Sequence, residues 1–87
     1  MEFIPTRRFD RSFKRLPFSL QKRFVERKDI FRENCRHPLL RDHALQGQML
    51  GYRSFSITGD INVLYEEINA STIRLIDIGT HHDLYGS

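Results

Sequence analysis

Eighty-seven residues make a single domain, residues 1–87, with an expected radius of gyration of about 12 Å; 39% hydrophobic and 11% aromatic residues exclude a disordered chain. The lone cysteine, Cys35, excludes an internal disulfide. The disulfide-stapled secreted class goes with it, no apolar run nears the ~18 residues of a membrane span, and the opening residues lack the basic-then-apolar layout of a leader, so a cytoplasmic protein with no membrane role is expected. The net charge of +3 conceals a division. Residues 1–41 carry 12 of the 14 Lys and Arg and net +7, whereas residues 42–87 net −4. A basic first half of this kind suits a polyanionic partner, and Arg outnumbers Lys eleven to three, which favours phosphate recognition.

In chain order, a short strand is predicted at residues 2–4 and ends at Pro5. Thr6 then caps a helix whose Phe9, Phe13 and Leu16 form one apolar stripe, stopped by Pro17. Ser19 is expected to cap a second helix, with Leu20, Phe24 and Phe31 inward, which runs to about Asn34 before Pro38 forbids continuation. Residues 35–50 show no periodicity and read as one long loop, a length that in a compact domain usually serves function. Three runs rich in β-branched and aromatic residues follow at 51–57, 61–68 and 72–78, separated by Thr58-Gly59-Asp60 and Asn69-Ala70-Ser71. Such short links make antiparallel neighbours. The last run is apolar at both parities and is therefore expected in the middle of the sheet. The order strand, helix, helix, strand, strand, strand describes an α+β, two-layer fold with two helices on a small, mainly antiparallel sheet.

Phosphate-loop glycines, paired Cys-x-x-Cys and a nucleophile elbow are all missing from the sequence, so the reactive inventory falls to the histidines, a few aspartates and Arg53. Histidine alone exchanges protons near neutrality with an unperturbed pKa. His43 in the loop, Asp60 in the turn after the 51–57 strand and His81 beyond the last strand lie where an antiparallel sheet can gather them, with Arg53 projecting from its strand. A base, an acid and a cation are what metal-free RNA cleavage needs, the base for the attacking 2′-hydroxyl and the acid for the leaving 5′-oxygen. Plainer roles exist for each. Asp42 and His43 can brace the loop, Asp60 can hydrogen-bond its own turn, Tyr52 and Tyr65 can pack in the sheet, and Tyr85 can pack the C-terminus. His81-His82-Asp83 does not read as a metal site, because neighbours on an extended segment point apart. No metal and no cofactor is expected.

The segment Asp42-His43-Ala44-Leu45, then Gly51-Tyr52-Arg53, Asp60, Gly79-Thr80-His81 and Leu84-Tyr85 resembles the YafQ branch of the RelE/ParE toxin superfamily, over essentially the whole chain. The resemblance implies a RelE-like β-α-α-β-β-β fold and the toxin of a type II toxin-antitoxin system. It also implies a ribosome-dependent mRNA endoribonuclease held inactive by an acidic antitoxin, with the ribosome and mRNA as further partners. By position it carries catalytic roles to His43, Asp60 and His81, transition-state neutralisation to Arg53 and substrate positioning to Tyr85; base and acid can be exchanged between the two histidines. Ser56 stands where that branch has a further histidine, and Ile61 where it tends to have tryptophan. A degenerate toxin or a ParE-like gyrase inhibitor that binds without cutting is the alternative.

Overall fold

The computed structural model describes residues 1–86. The first helix, α1 (Arg7–Arg15), opens where expected: the Thr6 hydroxyl accepts from the Phe9 N–H at 3.1 Å, while its own hydrogen lies within reach of the Leu75 and Ile76 carbonyls at 2.9 and 3.0 Å. One side chain thus caps the helix and ties it to the sheet. The second, α2 (Phe18–Glu33), starts one residue before the expected Ser19 cap. Its ladder begins at the Pro17 carbonyl, which accepts from Leu20 and Gln21, and the Gln21 amide closes the end of α1 by donating to the Phe13 and Leu16 carbonyls at 3.1 Å. A proline that lacks an N–H therefore serves as the corner between two helices.

The five-stranded sheet has the order β1-β5-β4-β3-β2, from β1 (Glu2–Pro5), β2 (His43–Ala44), β3 (Arg53–Ser56), β4 (Ile61–Asn69) and β5 (Thr72–Thr80). Only the β1–β5 pair is parallel. As its two-parity pattern predicts, β5 lies inside the sheet, between β1 and β4. Asp77, Ile78 and Gly79 are buried in succession, and β5 meets both α1 and the terminal helix. A register shift between the Leu64–Asp77 and Tyr65–Leu75 pairs leaves Ile76 as an extra residue, which sharpens the local twist. Phe9, Phe24 and Phe31 from the helices close over Phe55, Val63, Tyr65, Ile73 and Leu75 to form the core. Phe31 is its hub, with ring centroids 5.0 Å from Phe55, 5.3 Å from Tyr65 and 5.8 Å from Phe3. The radius of gyration, 11.9 Å, matches the value expected from length.

Three departures from the sequence reading bear on function. The 51–57 run keeps only β3 as strand, because its last residues turn back toward β4. The 35–50 stretch is not plain loop: it holds 3-10 turns at Pro38–Leu40 and Gly47–Met49 with β2 between them. Third, β5 continues to Thr80, so His81 opens a short helix, α3 (His81–Tyr85), instead of trailing from the sheet. Thr80 and Asp83 form a reciprocal capping box at its start. Among the described residues, no helix is long and apolar enough to cross a membrane.

Candidate active site

Strand alternation decides which face each side chain reaches. On β3, Ser54 pairs with His43, while Arg53 pairs with Ala44 on one side and Tyr65 on the other. Neighbouring residues of a strand point to opposite faces. His43 and Ser54 accordingly look away from α1 and α2, whereas Arg53 looks toward the face those two helices cover, where Tyr65 is buried. On the first face, the cross-strand pair Asn62 and Gly79 leads to α3, which lies over β4 and β5.

The result is a cavity of about 340 Å³ that His43, Ser54, Asn62, His81 and Tyr85 line together, with Met49 at its rim. His43 and His81 both have exposed side chains on it. His43 Nδ1 stands 2.9 Å from the Arg41 carbonyl. A carbonyl oxygen only accepts, so Nδ1 carries the hydrogen and the neutral ring keeps its free lone pair on Nε2. His81 and Tyr85, one helical turn apart, meet edge to face with centroids 4.6 Å apart. Ser54 is 1% exposed, and its hydroxyl has no hydrogen-bond partner. Ser56 donates to Asn62 Oδ1 at 2.9 Å, so it engages a residue that lines this cavity.

Two of the expected site residues lie elsewhere. Asp60 is exposed in the β3–β4 turn and is not among the residues that line the cavity. That turn is organised by Thr58, whose hydroxyl accepts from the Asp60 and Ile61 N–H groups at 3.2 and 3.0 Å, which leaves the Asp60 carboxylate facing water. Arg53 does not reach the cavity either. Its Nε donates to Asp42 at 2.8 Å and to the Tyr65 hydroxyl at 3.3 Å, and it approaches Glu67 at 3.5 Å.

The group that sequence reasoning passed over as mere bracing is Asp42. Its side chain is 0% exposed and accepts from Arg53, from the Tyr65 hydroxyl and, at 3.1 Å, from Arg36. Burial, followed by the hydrogen bond to Asp42, pushes the Tyr65 phenol well above its ordinary pKa. For Arg53, burial works against the charge, but the bonds to Asp42 and Tyr65 outweigh it and the guanidinium is held above its ordinary value. This clasp fixes the chain immediately before His43. His37 is also structural: its Nδ1 accepts from the Leu39 N–H at 3.1 Å. Among the described residues, no group of three or more His, Cys, Asp or Glu side chains is placed to hold a metal ion.

Chemically, the cavity offers a lone pair on one imidazole, a second imidazole that can carry a proton, and an aromatic ring between solvent and sheet. That is an acid–base pair without a carboxylate between its members. The model of a protein family described as "Bacterial toxin of type II toxin-antitoxin system, YafQ" matches residues 1–86. Among solved structures, the chain is similar to a YoeB/ParE toxin from Agrobacterium tumefaciens, with TM-score 0.77 and 18% identity over 93% of this chain and 99% of that one. It is likewise similar to YafQ from E. coli strain BL21(DE3), with TM-score 0.70 and 22% identity over 98% of each chain. A structure of the E. coli DinJ-YafQ complex matches with TM-score 0.72 and 21% identity, again over 98% of each chain. At these identities the structural likenesses establish the fold alone. Among curated proteins, no relative matches.

Proposed function

The chain belongs to the YafQ family of type II toxin-antitoxin toxins, and we propose that it is a ribosome-dependent mRNA endoribonuclease of the cytoplasm, restrained by an acidic antitoxin. The observation that carries this reading is the shared cavity: His43 and His81, far apart in sequence, face one space beside Tyr85. In the proposed step, His43 Nε2 takes the proton of a ribose 2′-hydroxyl, whose oxygen attacks the adjacent phosphorus. The bond from phosphorus to the 5′-oxygen breaks, and protonated His81 delivers its proton to that oxygen, leaving a 2′,3′-cyclic phosphate and a 5′-hydroxyl. DNA lacks the attacking group, so the chemistry is restricted to RNA. Tyr85 holds the nucleotide against the cavity wall. The known DinJ-YafQ complex supports an antitoxin as the protein partner, and the basic first half of the chain suits ribosomal RNA.

A second reading, a toxin fold that binds without cutting, is favoured by one specific arrangement: Ser56 in place of a third imidazole, with Asp60 and Arg53 both away from the cavity. The two readings separate on induced expression with mapping of mRNA ends. New ends within translated messages, lost in both His43→Ala and His81→Ala, are the expected result. Growth arrest that persists unchanged in the double variant establishes the binder instead.

A further inference from the structure

The cross-strand partners Ser56 and Asn62 connect two concave surfaces. Asn62 lines the histidine cavity, while Ser56 lines a groove of about 430 Å³. Into this groove come Arg23 and Arg27, one helical turn apart on α2, and Arg41 from the chain just before β2. The remaining wall is made by Pro38 and Leu39 of the first 3-10 turn and by the chain from Ile57 to Gly59.

These three guanidinium groups differ from most paired arginines of the molecule. Arg8, Arg36, Arg53 and Arg74 each lie against a carboxylate from another element or strand. Neither Arg27 nor Arg41 forms an ion pair among the described residues, and Arg23 has only Glu26 of its own helix, at 3.6 Å. Arg27 Nη1 is enclosed and donates to nothing among the described residues, although a buried donor without an acceptor is costly. Arg41 holds a left-handed backbone, φ 49°, a strained conformation for a side-chain-bearing residue. Its side chain lines the groove, while its carbonyl accepts from His43 Nδ1. One residue therefore lines the groove and hydrogen-bonds a histidine of the cavity.

We propose that this groove is a phosphodiester subsite, in which Arg23, Arg27 and Arg41 hold the backbone of the RNA strand whose neighbouring nucleotide occupies the histidine cavity. The assignment to RNA rests on the ribonuclease reading. Guanidinium forks match phosphate oxygens in pairs, and an entering phosphate supplies the acceptor that Arg27 Nη1 lacks. An acidic peptide that adds as a strand is disfavoured, because the 3-10 turn Pro38–Leu40 packs against β3.

The experiment uses the full chain and a short fluorescent oligonucleotide with 2′-deoxyribose throughout, which the proposed chemistry cannot cleave. Anisotropy is measured across a salt series for Arg27→Gln, Arg41→Gln, their combination, and Arg11→Gln on α1. Each groove variant is expected to weaken binding about fivefold near 0.1 M salt and to flatten the log–log salt slope by ~0.7, the loss of one phosphate contact to a single strand. Arg11→Gln should change affinity less than twofold. Equal losses in all three single variants, or none in the combined variant, would overturn the subsite. A poly-glutamate peptide that displaces the oligonucleotide from the parent chain as well as unlabelled oligonucleotide does, but not from the combined variant, would reassign the groove to a protein partner. Failure of the ribonuclease reading registers separately. Growth arrest on expression of the parent chain without new ends in translated messages, with arginine-dependent oligonucleotide binding intact, removes the chemistry and keeps the groove.

Discussion

Asp42 and His43 are consecutive residues, yet one ends in a sealed cluster and the other on an open cavity. The Asp42 carboxylate has no solvent exposure and accepts from three side chains; His43 is exposed, bonded only to the carbonyl of Arg41, two residues back. Arg36, Arg53 and Tyr65 each spend a donor on that one carboxylate. Around His43 and His81 the hydrogen-bonding capacity is left free, and the Ser54 hydroxyl nearby has no partner at all. A one-residue step has separated a structural anchor from an open cavity wall. The anchor holds the chain beside His43 without consuming the free ring nitrogen of that imidazole.

Substitutions on the two sides should therefore fail in different ways. The largest effect is expected from His43→Ala and His81→Ala, which should each lower cleavage by roughly 10²–10⁴-fold, the usual contribution of general acid–base catalysis, while urea denaturation shifts by no more than about 0.5 kcal/mol, as for exposed residues. A large loss of stability in either variant would contradict the separation. Asp42→Ala should do the reverse in kind, unfolding earlier in urea because it strands Arg53 beside a lost partner. The expected cost is the lower end of the roughly 3–5 kcal/mol for breaking a buried pair, since the Arg36 side chain is 50% exposed and can turn to water. Tyr65→Phe removes one donor to a charged acceptor and should cost roughly 1.5–3 kcal/mol, with His43 still reactive. An Asp42→Ala protein as stable as the parent would show that the clasp anchors nothing.

The smallest effect concerns the start of α3. The backbone N–H of Thr80, then its hydroxyl, hold the Asp83 carboxyl below the usual carboxylate range. A folded-state pKa below the unfolded one means that the stabilisation is present at neutral pH and disappears as pH falls through the folded value. Asp83→Asn should accordingly differ from the parent in thermal unfolding near neutrality and converge with it in acid. A difference that persists unchanged at low pH would rule out the carboxylate as the source.

Much of this was readable before any coordinates. The α1 stripe, the Thr6 cap, the two prolines and the three β runs depend on local sterics and on periodicity, so the element order and the interior position of β5 followed directly. The helix α3 was missed although its signal is present: Thr80 followed three residues later by Asp83 is a capping box. Its effect is large for its length, since a trailing strand would have pointed His81 and His82 to opposite sides, whereas the helix sets His81 against Tyr85. Arg53 and Asp60 were misplaced for a different reason. Residue type suggests what a side chain could do, but which face of β3 it occupies and how the β3–β4 turn closes depend on pairing register.

Within the chain itself, then, composition and periodicity determined two amphipathic helices, a β-rich second half and a short stock of proton-transfer groups, because those follow from backbone preference and from burial of apolar stripes. Tertiary structure alone decided that two distant imidazoles share a cavity, that Asp42 draws Arg53 inward, and that Arg23, Arg27 and Arg41 converge in a groove. These outcomes depend on strand register and on competition among charges for partners across the fold, and neither is expressed in any local window of sequence.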